Sequence, residues 1–121
     1  MTVSVENYLK TIYQIKYDQE ERISSKILAE KLNVTTAAVS DMAKKLSENG
    51  YILYEKYKEI QLTDKGINLA LKVIRRHRLW ELFLNQVLDI PWNRVHDDAE
   101  RLEHQTSDYL IDRIDQYLGS P

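Results

Sequence analysis

The sequence predicts a mainly α protein, with a winged helix-turn-helix at its N-terminal end and a second helical domain after it. Three observations predict this. Apolar residues recur at three- and four-residue intervals through most of the chain. Two of these periodic segments are separated by a very tight connection. Two short strand-like runs follow them directly, before helical periodicity returns.

Residues 4–17 read as the first helix, because Val5, Tyr8, Leu9, Ile12, Tyr13 and Ile15 fall mostly on one face. The polar run Asp18-Gln19-Glu20-Glu21 ends it. Ser24 or Ser25 caps a short helix reaching Lys31, with Ile27, Leu28, Ala29 and Leu32 on its buried side. Asn33-Val34 makes the tight connection. Thr35-Thr36 then caps a longer helix to Asn49, with Ala38, Val39, Met42 and Leu46 inward and Gly50 as its stop. Tyr51–Tyr54 and Glu59–Leu62 form a hairpin around Glu55-Lys56-Tyr57-Lys58. Thr63-Asp64 caps a long helix to about Val87, whose expected buried residues are Ile67, Leu71, Ile74, Leu79, Leu82 and Phe83. Asp89-Ile90-Pro91 breaks the chain, and Pro91 suits the first turn of a helix ending near His104. Ser107 opens a last helix carrying Leu110, Ile111, Ile114 and Leu118. The expected domains are residues 1–72 and 73–121.

Composition bounds the function. An apolar fraction of 43% and a charged fraction of 30% are those of a water-soluble globular chain. The absence of cysteine excludes disulfides and thiolate metal sites. The N-terminus lacks a basic region followed by an apolar run, and no apolar stretch is long enough to span a bilayer. A cytoplasmic protein without a membrane partner is expected. Residues 89–121 carry eight acidic and three basic side chains, a net of −5, which leaves +3 for residues 1–88. An acidic C-terminal part suits cation binding, and a basic N-terminal part permits phosphate contact.

The helix-turn-helix and its wing suggest a DNA reader. The second helix of such a pair lies in the major groove with its N-terminal residues nearest the bases. Here those are Thr35, Thr36, Ala37, Ser40 and Asp41. Small hydroxyl and methyl groups allow close approach and contact with a thymine methyl. Asp41 can accept from cytosine but repels phosphate. Lys44 and Lys45, with wing residues Lys56, Tyr57 and Lys58, are candidates for backbone contacts, against the plainer reading of solvated surface. A β-ribbon and helical hairpin that binds protein instead is the alternative for the module as a whole.

The chemistry of a cation site sits in the C-terminal half. His96, Glu100 and His104 are spaced i, i+4, i+8, with Glu103 on the neighbouring edge. His77 and Glu81 repeat the i, i+4 spacing. Such pairs stand about 5–6 Å apart on a helix, close enough to share one cation. Imidazole with carboxylate is a ligand set for borderline-to-hard divalent metals. Any one pair alone reads more plainly as a solvated charged face, but all three histidines of the chain join the pattern.

At this point the chain resembles the diphtheria-toxin-repressor family of metal-dependent transcriptional regulators, and within it the manganese-transport-regulator branch. The likeness is carried by Glu6–Tyr13, Ala29–Leu32, Val39-Ser40, Leu62–Gly66, Arg76–Leu79, Val95–Asp97 and Glu103-His104, in order over nearly the whole chain. It implies a homodimer that takes Mn(II), or Fe(II), as co-repressor and then binds double-stranded palindromic operator DNA, controlling metal-homeostasis genes. It makes the C-terminal part a metal-binding and dimerisation domain; the helices after Leu88 carry apolar faces with little chain left to cover them, so Ile111, Ile114, Tyr117 and Leu118 are expected toward the dimer. In iron-responding members of the family that the chain resembles, a cysteine stands at the position of Glu100 and a methionine at that of Asn7. Manganese-responding members place carboxylates at both. The resemblance therefore implies one ligand set of Asn7, Glu100, Glu103 and His104, and a second of His77, Glu81 and His96. The sequence departs at Asn7, an amide, and at Lys10, where another glutamate would stand. A charged lysine cannot coordinate, so these departures weigh against a tightly bridged two-metal cluster. Longer members continue past the equivalent of Leu118–Pro121 into a linker and a small β-barrel, so this chain is either a short form or part of a longer one.

Two other readings stay open. A winged-helix regulator not gated by metal would leave the histidine and glutamate stripe as a solvated face. A metal-dependent hydrolase is disfavoured, because no nucleophile or general-base constellation accompanies the ligands. No enzymatic activity is expected.

Overall fold

The structure is a computed structural model that describes residues 3–20, 22–55 and 58–121. Six helices and one strand pair are found among them: α1 (Val3–Tyr17), α2 (Ser25–Leu32), α3 (Thr36–Glu48), β1 (Ile52–Leu53), β2 (Gln61–Leu62), α4 (Asp64–Gln86), α5 (Trp92–Glu103) and α6 (Asp108–Tyr117). The chain divides into two compact units, residues 1–71 and 72–121, with the boundary inside α4.

The first unit is a winged helix-turn-helix. Leu9, Ile12 and Ile15 of α1, Leu28 of α2, Val39 and Leu46 of α3, and Ile52, Ile60 and Ala70 share one apolar core. Local chemistry sets each boundary. Ser24 caps α2 by accepting from the Ile27 N–H at 3.1 Å. Asn33 ends α2 in the left-handed conformation, φ 55°, a state an asparagine tolerates better than most residues. Thr35 caps α3 by accepting from the Ala38 N–H at 3.0 Å. The turn between the helices is therefore Asn33, Val34 and Thr35.

The wing is shorter than the sequence suggests. Antiparallel pairing is limited to Ile52 with Leu62 and Leu53 with Gln61. Tyr51 is diverted because its N–H caps α3 at the Leu46 carbonyl, 2.9 Å away. Ile60 donates to the Ile23 carbonyl at 3.0 Å instead of extending the ladder. Lys56 and Tyr57 lie outside the described residues.

Gly66 explains how α4 starts so close to the hairpin. A Cβ built there would lie 2.1 Å from the Tyr51 carbonyl oxygen. Only glycine lets the helix backbone pass that carbonyl. Thr63 braces the same corner, donating from its hydroxyl to the Gly50 carbonyl at 2.6 Å and accepting from the Gly66 N–H at 3.2 Å.

In the second unit, Leu79, Ile111 and Ile114 form one small core with Trp80, Phe83 and Leu118 around it. Leu84, Val95 and Ala99 form another, with Ile90 and Leu102. The inward stripe of α4 differs from expectation. Leu79 is buried as expected, with Ala70, Val73, His77 and Leu84 beside it on the helix's buried side, whereas Leu71 is exposed and Ile67, Ile74, Leu82 and Phe83 are half-buried. Ala38 of α3 is likewise exposed. Ile111 and Ile114 are buried within the unit, so neither is left for a second chain. Three arginine–aspartate contacts fasten α6 to α4: Arg76 to Asp108 at 3.1 Å, and Arg75 to Asp112 at 2.9 Å and to Asp115 at 3.4 Å. The Arg76 hydrogen bond holds the Asp108 carboxyl below its usual range, opposed by desolvation and aided by the charges of Arg76, Lys72 and Arg75.

Candidate metal centre and nucleic-acid interface

The phase of α4 decides which of its side chains can join a candidate metal site. His77 lies on its buried stripe, and one helical turn later Glu81 stands half-buried beside it. The α5 helix presents Val95, Ala99 and Glu103 inward. His96 therefore sits at the edge of that stripe, and Glu103 lies fully inside it.

These positions converge. His77 Nε2 is 3.1 Å from His96 Nδ1 and 3.4 Å from Glu81 Oε1. His96 Nδ1 is 3.8 Å from Glu81 Oε2. One donor atom from each of the three side chains lies within 4.8 Å of the others. The two imidazoles meet edge to face, with centroids 4.7 Å apart. On the other edge of the His77 ring, Nδ1 is 3.1 Å from Glu103 Oε1. Two nitrogens and a carboxylate converging on one point, open toward solvent through the exposed His96, suit a divalent cation that takes further ligands from water. The donor set thus fits the group the family implies.

The remaining expected ligands fall differently. Glu100 is exposed on α5, and His104 is half-buried as the residue that caps it. Asn7 is half-buried on α1, in the first unit, and Lys10 on the same helix is buried. The structure gathers His77, Glu81, His96 and Glu103; it does not gather Glu100 with them.

Within the first unit, Thr35, Thr36, Ala37, Asp41, Lys44 and Lys45 are exposed along α3, and Ser40 is half-buried. The Thr35 hydroxyl is already engaged as the helix cap. Lys58 is exposed and paired with Glu55 at 2.7 Å. Sequence reasoning missed Arg22 and Lys26. Both line a cleft of about 590 Å³ that also contains Ser40 and Lys58. No spacing rule links residues from three separate segments, so only the fold reveals them.

Comparison with known proteins decides the family. The N-terminal DNA binding domain of the iron dependent repressors matches residues 1–60, and their metal binding and dimerisation domain matches residues 63–121. The chain belongs to the iron-dependent repressor family. This is the diphtheria-toxin-repressor family to which the motifs pointed, and the similarity falls in its manganese branch. An uncharacterised HTH-type transcriptional regulator of Methanocaldococcus jannaschii is 36% identical over 118 residues, covering 98% of this chain and 94% of its own. The HTH-type transcriptional regulator MntR of Lysinibacillus sphaericus is 37% identical over 114 residues, covering 93% and 80%. A manganese-dependent transcriptional repressor solved in complex with manganese is 41% identical with a TM-score of 0.87, covering 97% of this chain. The chain spans 53% of that structure's length, about half. Among the described residues, no helix is long and apolar enough to cross a membrane.

Proposed function

We propose that the protein is a metal-gated transcriptional repressor, not an enzyme, acting in the cytoplasm. It binds Mn(II), with Fe(II) as the second choice, and in that state binds palindromic operator DNA as a homodimer. The observation that carries this reading is the convergence of His77, Glu81 and His96 in a family whose domains bind metal and DNA. Asn7, Glu100, Glu103 and His104 remain the proposed second ligand set. The proposed DNA contacts are Thr35, Thr36, Ala37, Ser40, Asp41, Lys44, Lys45, Lys56, Tyr57 and Lys58, joined now by Arg22 and Lys26.

Dimerisation is supported by apolar side chains of the second unit that the unit itself does not cover. Trp92 is 57% exposed, Tyr109 74% and Tyr117 65%. Exposed large apolar residues such as these are available to be covered by a second copy. A two-fold dimer spaces its recognition helices by about 34 Å or a multiple of it, which a palindrome matches. Metal and DNA must then tighten each other's binding by one common factor, and about 1–3 kcal/mol of coupling changes affinity up to roughly a hundredfold.

The test is DNA binding by fluorescence anisotropy, with sedimentation of the same samples. Mn(II) should raise operator affinity, chelator should remove the gain, and the bound species should be a dimer. Operator affinity unmoved by chelator would leave a winged-helix regulator without metal gating.

A further inference from the structure

Glu103 is completely buried, with a relative exposure of 0%. A carboxylate taken out of water needs strong hydrogen-bonding partners to remain charged. One of its oxygens faces His77 Nδ1 at 3.1 Å. That nitrogen lies on the edge of the imidazole away from Glu81 and His96, which face Nε2 at 3.4 and 3.1 Å. Because the two ring nitrogens point in divergent directions, one cation at the three-donor cluster cannot take both.

We propose that Glu103 is the positioning residue of the His77–Glu81–His96 centre: it holds the hydrogen on His77 Nδ1 and so aims a bare Nε2 at the metal. The inference rests on reading that cluster as a metal site, and it gives Glu103 a part there distinct from direct ligation.

The chemistry follows from the ring. A neutral imidazole carries one N–H, and the hydrogen bond made by one nitrogen decides which nitrogen is left to bind metal. With Nδ1–H donated to a carboxylate, Nε2 keeps its in-plane lone pair free for a cation. The ring is also fixed in rotation, since His77 is itself 9% exposed and bonded at both edges. His96 is exposed and can exchange tautomers with water, so the preorganisation resides in His77. If Glu103 instead held a proton and donated to Nδ1, the hydrogen of His77 would sit on Nε2 and block coordination. The two arrangements differ in one observable, the location of the imidazole hydrogen.

The experiment is ¹⁵N NMR of the histidine rings in the metal-free protein, with Co(II) titration followed by absorption. In the wild type, His77 Nδ1 should carry a hydrogen that is protected from exchange. Glu103→Gln is nearly isosteric, but its amide can either accept from or donate to Nδ1. The variant should lose the fixed Nδ1–H, and Co(II) affinity at the three-donor site should fall about 10- to 100-fold when measured in a Glu100→Gln, His104→Gln background that removes the other proposed ligand set, to which Glu103 also belongs. Glu81→Gln should weaken Co(II) binding while leaving the His77 Nδ1–H in place. A bare Nδ1 in the wild type would overturn the proposal without any variant having to fold. Unchanged Co(II) affinity in Glu103→Gln would overturn it as well. Unchanged affinity in Glu81→Gln, with the Nδ1–H intact, would mark a different failure, that of the metal-centre reading, and would remove the positioning role with it.

Discussion

Replacing His96 with alanine should separate metal binding from folding. The His96 side chain is 60% exposed, so its removal uncovers little apolar surface. It forfeits one part-buried hydrogen bond, to His77 at 3.1 Å, and an edge contact between the rings. A net hydrogen bond is worth about 0.5–1.5 kcal/mol, and the cleft left behind lets water reach His77 Nε2. The metal-free variant should therefore lose about 1 kcal/mol of stability or less. Metal linkage is larger: a ligand at a hundred times its Kd stabilises the folded state by about 2.7 kcal/mol. For a small domain this raises Tm on the order of 10 °C. His96→Ala removes one of three donors, so the metal-induced shift from this centre should collapse although the apo Tm barely moves. Differential scanning calorimetry with and without Mn(II), beside calorimetric titration, reads both quantities, and the variant should bind one equivalent fewer. A variant that kept the full metal shift would refute ligation by His96. An apo form destabilised by several kcal/mol would refute the view that its ring is dispensable to the fold.

Other outcomes follow from particular contacts. Gly66→Ala should destabilise the protein by about 1–3 kcal/mol in urea unfolding, reversing alanine's usual helix advantage, because the new methyl meets the Tyr51 carbonyl oxygen. Thr35→Ala should cost about 0.5–2 kcal/mol through loss of the α3 cap, so any weakening of DNA binding must be compared with that unfolding shift. Lys44→Gln should lower the slope of log K against log salt for DNA binding by about 1 if Lys44 contacts a phosphate, and leave it unchanged if it does not. Asp108 has a depressed pKa, so the stability it lends is present above its unfolded pKa and is lost as pH falls through the still lower folded value. Acidification from pH 7.5 to 5.5 should thus leave the α4–α6 ion pair in place. Urea unfolding of the metal-free protein over that range should therefore show the Asp108 contribution undiminished.

Periodicity and capping chemistry made most of the architecture legible in advance. Ser24, Thr35 and Ser107 each cap the helix that follows them, because a hydroxyl next to a free backbone N–H acts within a few residues. The His77–Glu81 pair was legible for the same reason, since helical spacing alone brings i and i+4 together. Other features depend on contacts between segments distant in sequence. The wing is short because Tyr51 and Ile60 spend their N–H groups on α3 and on the Ile23 carbonyl. Which of the candidate side chains lie together depends on the rotation of α4 and α5. That rotation buries His77 and Glu103, joins them at 3.1 Å, and leaves Glu100 in solvent. A sequence specifies which side chains share a helix face, but the turn of that face toward its neighbours comes from packing the whole core. Only the tertiary structure could therefore decide which nitrogen of His77 faces Glu81 and His96.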